Sequence, residues 1–163
     1  GVTLNNVTEY KYTNGTIKKE YLYSAYTTSG IKTRDYRLIL YPDGVKTQST
    51  DDYRYTNGVL ANRYQYFYDT AGLKTRFISS LYQADGKALK NVVQYDYAGG
   101  TRLTGYVSTV YNAAGIMTQV YEAVYHPDGV KTQSTDDHRY TNGVLTNRYQ
   151  YFYDTAGLMT LSI

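Results

Sequence analysis

The sequence predicts an all-β protein built from short tandem repeats, and three observations support this fold class. Tyrosine occurs 23 times in 163 residues, and Tyr favours strands because its ring packs on a pleated surface while its hydroxyl stays in water. Glycines recur every 14 or 15 residues. Runs of strand-like sequence separate them. We therefore expect β-hairpin or meander repeats of about 14 residues that form an elongated antiparallel sheet or a β-solenoid.

The in-phase glycines define the repeat units. Each unit ends at one of eleven glycines: Gly15, Gly30, Gly44, Gly58, Gly72, Gly86, Gly100, Gly115, Gly129, Gly143 and Gly157. A longer period lies above this one, because the segment that begins at Tyr41 returns almost unchanged at His126, 85 residues later. That offset is six units plus one residue. We expect residues 1–163 to form one repeat array that belongs to a longer protein.

Two kinds of turn separate the predicted strands. Asn-Gly at 14–15, 57–58 and 142–143 predicts two-residue type I′ hairpins, since both central residues need a positive φ. Phrases such as YDTAG at 68–72 predict a type I turn followed by a left-handed Gly and a bulge. A solenoid of shorter hairpins is the alternative. It would need a second bend near QSTDD at 48–52, where neither Gly nor Pro occurs.

The strand register predicts a single tyrosine-rich face. With a regular two-residue turn at 57–58, Tyr53 would face Asn62 and Ser49 would face Tyr66. One face would then carry Tyr53, Tyr55, Tyr64, Tyr66 and Tyr68. The other would carry Lys46, Gln48, Asp52, Arg54, Arg63 and Phe67, with Asp52 opposite Arg63. On the next strand, Lys74 and Arg76 are expected on the Tyr face, and Leu73, Phe77 and Leu81 with Phe67.

Two short phrases resemble known repeat families. The pattern Tyr66-x-Tyr68-Asp69-x-x-Gly72-Leu73 resembles the YD repeats of bacterial Rhs, teneurin and Tc-toxin shell proteins, as does YPDG at 41–44. In that family, hairpin repeats spiral into a wall, and the proteins act at cell surfaces or in toxin delivery. YFYDTAGLMT at 151–160 is similar to the choline-binding and glucan-binding repeats of Gram-positive surface proteins, which rely on the Trp that this chain lacks. Both resemblances imply an extracellular repeat module.

No residue set in the sequence indicates a reaction, and we expect no enzyme, catalytic residue, cofactor or metal site. His126 lies in a turn phrase, and His138 replaces the Tyr53 of the earlier copy. Neighbouring residues of a strand point to opposite faces, so two pairs of adjacent acids are not expected to act as carboxylate dyads. These acids are Asp51–Asp52 and Asp136–Asp137, and their expected ion-pair partners are Arg63 and Arg148.

The tyrosine face is the one feature of the sequence that suggests binding. Aromatic faces stack on sugar rings, and repetition lets weak sites add by avidity. The candidate ligand-binding residues are Tyr53, Tyr55, Tyr64, Tyr66, Tyr68, Tyr140, Tyr149, Tyr151 and Tyr153. Two hypotheses follow. The chain is a non-catalytic adhesin stalk or spacer of a bacterial cell-surface or secreted protein, or it is a module that binds a polysaccharide or cell-wall glycan.

Charge and hydropathy limit the expected partners. The net charge of +3 comes from basic residues scattered among acids, whereas a nucleic-acid surface would cluster them. No apolar run approaches the ~20 residues that a membrane span requires. An open array would expose an edge strand at each end, so head-to-tail self-association is a further expectation.

Overall fold

The computed structural model describes residues 5–163, which form a single antiparallel sheet of twelve strands in sequence order. No helix occurs in this part of the chain. The strands are β1 Asn6–Thr13, β2 Ile17–Tyr26, β3 Lys32–Leu40, β4 Thr47–Thr56, β5 Val59–Tyr68, β6 Lys74–Tyr82, β7 Leu89–Ala98, β8 Arg102–Tyr111, β9 Met117–Tyr125, β10 Thr132–Thr141, β11 Val144–Tyr153 and β12 Met159–Ser162. The all-β meander prediction is confirmed.

The sheet is one layer thick and has no closed core. Every strand contacts only the strands that precede and follow it in sequence. The accessible surface is 9980 Å², whereas a compact monomer of the same 18.6 kDa would expose about 8200 Å². Among the described residues, Ala123 is the only buried hydrophobic residue, at 5% exposure. Twelve strands at ~4.8 Å spacing give a sheet about 58 Å wide, with ten-residue strands about 33 Å long.

The alternative of a solenoid with a second bend near QSTDD is wrong. Strand β4 runs from Thr47 to Thr56 without interruption, through the whole of that phrase. Its copy in β10 does the same from Thr132 to Thr141. A straight strand forms there because no residue in the phrase favours a turn, and both neighbouring strands pair with it along its length.

The turn predictions hold for two kinds of turn, and the structure adds a third. Asn57 and Gly58 have φ of 52° and 80°, as a type I′ turn requires. At the turn 70–72, Asp69 N–H donates to the Leu73 carbonyl at 2.9 Å. The YPDG turn is one residue longer, since Tyr41 N–H donates to the Lys46 carbonyl at 2.9 Å. The turn at 14–15 also differs from its prediction: Thr13 pairs with Ile17, which leaves a three-residue loop.

Turns on the same edge of the sheet pack on one another. Gly44 shows this most clearly, because a Cβ there would lie 2.7 Å from Ile17 Cγ2 and 3.2 Å from the Lys18 carbonyl oxygen. Its φ of +70° independently favours glycine. Two hairpins separate Ile17 from Gly44, so the regular glycine spacing serves contact between successive turns as well as turn geometry.

A bulge in each hairpin overturns the predicted register. In the β4–β5 hairpin, Tyr55 faces Leu60 as expected, but the pairing then skips Ala61, so Tyr53 faces Arg63. A slip of one residue moves every later side chain to the other face. Tyr53 and Tyr55 therefore lie on the face opposite to that of Tyr64, Tyr66 and Tyr68, and the prediction of one tyrosine face is wrong.

The same kind of slip corrects the predicted partners around β5 and β6. Asp52 faces Tyr64 and not Arg63. Phe77 faces Tyr66, while Arg76 faces Phe67, which reverses both expectations. Leu81 also lies on the Tyr64 side, opposite Asn62, whereas Lys74 faces Tyr68 as predicted. We call the side with Tyr64, Tyr66 and Phe77 the ladder face, and the side with Tyr53, Tyr55 and Phe67 the pocket face.

Candidate functional site

A continuous row of aromatic rings, the aromatic ladder, crosses the ladder face from β5 to β9. Its members are Tyr66, Phe77, Tyr95, Tyr106 and Tyr121. Successive ring centroids lie 4.7, 5.9, 5.1 and 6.0 Å apart. The first four members are direct cross-strand partners, so the spacing between strands sets the spacing between rings. The ladder thus follows from the register and not from any turn.

The rings of the ladder face one another more than they face solvent. Tyr66 and Phe77 stack at an interplanar angle of 29°, and Phe77 and Tyr95 stack at 20°. Tyr64 stacks on Phe77 from the side, at 6.4 Å and 9°. Ring edges and hydroxyls are therefore presented to water, whereas stacking on a sugar would need an open ring face. This geometry suits cohesion of the sheet better than ligand stacking.

Charged residues are built into the ladder face beside the aromatic rings. Asp52, only 5% exposed, lies between Arg34 at 2.7 Å and Arg54 at 2.9 Å. Burial alone would raise the pKa of the Asp52 carboxyl, but hydrogen bonds from Arg34 and Arg54 outweigh it and hold that pKa below the ordinary value. Arg54 also stands 5.8 Å from the Tyr64 ring centroid. This acid is therefore fully engaged within the sheet.

The adjacent acids point to opposite faces, as predicted. On the pocket face, Arg63 donates to Asp51 at 2.8 Å, and Arg148 pairs with Asp136 at 2.6 Å. Both ion pairs agree with the sequence prediction. The Arg148 hydrogen bond is the main reason why the pKa of Asp136 lies below its ordinary value. Within residues 5–163, no group of three or more His, Asp or Glu side chains could hold a metal ion.

The two histidines occupy positions that are tyrosines in the first block. His126 Nε2 lies 3.2 Å from the Tyr153 carbonyl oxygen. In the equivalent place, the Tyr41 hydroxyl donates to the Tyr68 carbonyl at 2.6 Å. His138 Nε2 lies 3.2 Å from Asp136. Each histidine therefore has a structural contact within the sheet.

The structure divides the nine candidate tyrosines between the two faces. The ladder face carries Tyr64, Tyr66, Tyr68, Tyr149, Tyr151 and Tyr153, and the pocket face carries Tyr53, Tyr55 and Tyr140. Only Tyr64 and Tyr66 of this set contact the aromatic ladder. In the second block the row is interrupted, because Ala123 and Thr135 stand between Tyr106 and Tyr151.

Sequence reasoning missed most of the ladder. Phe77, Tyr95, Tyr106 and Tyr121 were not among the candidates, and Phe77 was placed on the wrong face. The available signal was the position of aromatic residues about each turn glycine. Tyr66 is six residues before Gly72 and Phe77 is five after it. That unequal count is what a hairpin with one bulge requires.

The pocket face holds a concave site of about 370 Å³ over strands β1 to β4. Its lining includes Val7, Leu22, Asp35, Arg37, Tyr53 and Tyr55. The Tyr55 hydroxyl donates to Asp35 at 2.9 Å. Burial and this hydrogen bond raise the pKa of Tyr55 to about 12. We call this site the Tyr53 pocket; it unites two of the candidate tyrosines with fixed polar groups.

Comparisons with known proteins give little further information. No family model and no curated protein matches the chain. A crystal structure of a protein of unknown function from Bacteroides fragilis NCTC 9343 is similar, with 14% sequence identity over 76% of this chain and 94% of that chain, at a TM-score of 0.29. A likeness at that TM-score does not bear on the fold or the function. None of the residues 5–163 lies in a helix long and apolar enough to cross a membrane.

Proposed function

We propose that the chain is a non-catalytic repeat module that acts as a stalk or spacer in a bacterial cell-surface or secreted protein. The observation that carries this proposal is the contact pattern, in which every strand touches only its two sequence neighbours. In such an array each added unit extends the molecule without altering the packing of the others. Length is then a direct function of repeat number, which is what a spacer needs.

The dimensions of the repeat make the proposal quantitative. Each strand adds ~4.8 Å in the direction of the hydrogen bonds, so a block of six strands adds about 29 Å. The aromatic ladder supports the same function because its rings stack on one another across five strands. A surface whose aromatic faces hold the sheet together resists bending without requiring a ligand. The location at the cell surface rests on the resemblance of the turn phrases to extracellular repeats.

The test is a length series. Because residues 126–160 repeat 41–75, a second copy of residues 41–125 can be inserted after Tyr125 without changing any junction. Small-angle scattering should show the long dimension increased by about 29 Å per inserted block. In a surface-display fusion, an epitope beyond the array should become more accessible with each block. Sedimentation equilibrium is the control that separates this lengthening from head-to-tail association.

The outcome that would contradict the spacer is specific. If the inserted block leaves the long dimension unchanged, the repeats fold back on one another and length is not the property they set. If epitope access does not change although the particle lengthens, the array is extended but its length has no spacing effect. The alternative function, glycan binding, is not favoured by the aromatic ladder, but the Tyr53 pocket favours it at one place.

A further inference from the structure

We propose that the Tyr53 pocket binds a neutral saccharide, with a pyranose ring stacked on Tyr53 and a hydroxyl bonded to Asp35. This activity goes beyond the spacer function and does not depend on it. The volume of about 370 Å³ falls in the range of ~300–1000 Å³ typical of small-molecule sites. The site is concave because short side chains, Ser24 and Asp35, are direct partners in the middle of the row that ends at Tyr53.

Tyr53 differs from the ladder tyrosines in keeping one ring face open. Arg63 stands 4.9 Å from its ring centroid and belongs to β5. The Tyr53 hydroxyl donates to Asp51 at 3.2 Å, which fixes the ring. No other aromatic ring stacks on Tyr53 in the described part of the chain. Because Arg63 approaches from β5, the opposite ring face is turned towards β3 and the pocket.

Asp35 gives the pocket a fixed polar centre. Its carboxylate accepts hydrogen bonds from Ser24 at 2.6 Å, Lys32 at 3.0 Å and Tyr55 at 2.9 Å. A carboxylate offers about four acceptor positions, so one remains for a ligand hydroxyl. Three partners on different strands hold the group in place before any ligand arrives. Such preorganisation reduces the entropy lost on binding.

The charges around the pocket favour a neutral ligand. The lining contains two acids, Glu9 and Asp35, and two bases, Lys32 and Arg37. Lys32 is paired with Asp35, and Arg37 with Glu20. A cation or an anion would therefore meet as much repulsion as attraction. A pyranose fits better, because its C–H face matches the ring of Tyr53 and the apolar side chains of Val7 and Leu22, while its hydroxyls match the polar centre.

The second block provides an internal control, because the register puts different residues at the equivalent positions. The row Ser24, Asp35, Tyr53 corresponds 85 residues later to Thr109, Val120 and His138. Lys32 corresponds to Met117. The open tyrosine face and the central carboxylate are both lost there, so the proposed saccharide site is specific to the first block.

The experiment is a titration of the isotope-labelled full chain with neutral oligosaccharides, followed by NMR. The probes are trimers of β-1,4-linked glucose, α-1,4-linked glucose and β-1,4-linked N-acetylglucosamine, each at up to about 10 mM, which would saturate a site with a millimolar Kd. At least one should shift the signals of Tyr53 and Tyr55 saturably. Tyr53→Ala should weaken that binding by roughly tenfold or more, since it removes the stacking surface.

Further variants separate loss of binding from loss of folding. Tyr53→Phe keeps the flat ring and should retain binding within about twofold, whereas Tyr53→Ala should not. His138→Ala, at the equivalent position of the second block, should have no effect. The proposal is overturned if none of the three trimers shifts these signals, if Tyr53→Ala binds as well as the original chain, or if choline or inorganic phosphate binds there more tightly than every saccharide.

Discussion

Replacing Phe77 with alanine should destabilise the middle of the sheet far more than replacing Phe67. The two phenylalanines are a matched pair, since both are half-buried and lie on adjacent strands, on opposite faces. Phe77 contacts the rings of Tyr64, Tyr66 and Tyr95, at 6.4, 4.7 and 5.9 Å. Phe67 has no ring partner in the described part of the chain. The difference between the two variants therefore isolates the contribution of the aromatic ladder.

The expected magnitude follows from these contacts. Burying a Phe side chain fully contributes ~1.5–3 kcal/mol, so a half-buried ring contributes about 1 kcal/mol. Each aromatic pair adds ~0.5 kcal/mol or more beyond its buried area, so three pairs add about 1.5 kcal/mol. Phe77→Ala should then cost about 2.5 kcal/mol in local unfolding free energy, and Phe67→Ala about 1 kcal/mol. The difference of about 1.5 kcal/mol belongs to ring stacking.

Native-state hydrogen exchange is the appropriate assay, because an array with only neighbour contacts does not unfold as one two-state unit. Amides of β5, β6 and β7 should exchange about tenfold faster in Phe77→Ala than in Phe67→Ala. A double-mutant cycle with Tyr95→Ala should give a coupling energy of at least ~0.5 kcal/mol. Equal acceleration in the two single variants, with no coupling to Tyr95, would refute the ladder as a source of stability.

Further predictions concern charge, turns and pH. Asp52→Asn should lower the urea midpoint at pH 7 more than Asp137→Asn, by roughly 1 kcal/mol, because Asp52 pairs with two arginines whereas Asp137 pairs with one arginine and Gln119. Since the folded pKa of Asp52 is lowered, its contribution is present above the ordinary value of 3.8 and is lost as the pH falls below it, so Asp52→Asn should flatten the acid limb of the stability curve. Gly44→Ala should cost ~1 kcal/mol more than Gly72→Ala in a thermal melt, because a Cβ at Gly44 meets Ile17 while one at Gly72 has no atom within 4 Å. Tyr55 should titrate at about pH 12 by ultraviolet absorbance of the phenolate, and the stability it contributes should be complete below pH 10.0 and lost as the pH rises to about 12.

The fold was predictable because its determinants are local. Asn57-Gly58 specifies a hairpin through the φ values that these two residues tolerate. Asp69 caps the backbone N–H groups of Ala71 and Leu73, so its turn is encoded within five residues. The strand between them contains no residue that would break it. Nothing in this meander depends on contacts between distant parts of the sequence, so reading the chain in order gives the strand order.

The faces of the sheet were not predictable in the same way. A bulge at Ala61 moves Tyr53 and Tyr64 to opposite faces, yet nothing about alanine itself specifies a bulge. The bulge becomes favourable through its consequences, since it brings Tyr66 opposite Phe77 and Asp52 beside Arg34. These are interactions between strands, and their sum decides the register. An error of one residue was therefore enough to divide the predicted tyrosine site and to conceal the aromatic ladder.

The number of saccharide sites follows from the same register and decides between two modes of binding. Avidity requires equivalent sites in successive blocks, but Tyr53 and Asp35 correspond to His138 and Val120 in the second block. A single Tyr53 pocket per chain gives an affinity that does not rise when a copy of the second block is added. The inserted segment 41–125, by contrast, brings another Tyr53 without another Asp35. If that longer chain binds two saccharides, stacking on Tyr53 is sufficient; if it binds one, the carboxylate of Asp35 is the determinant.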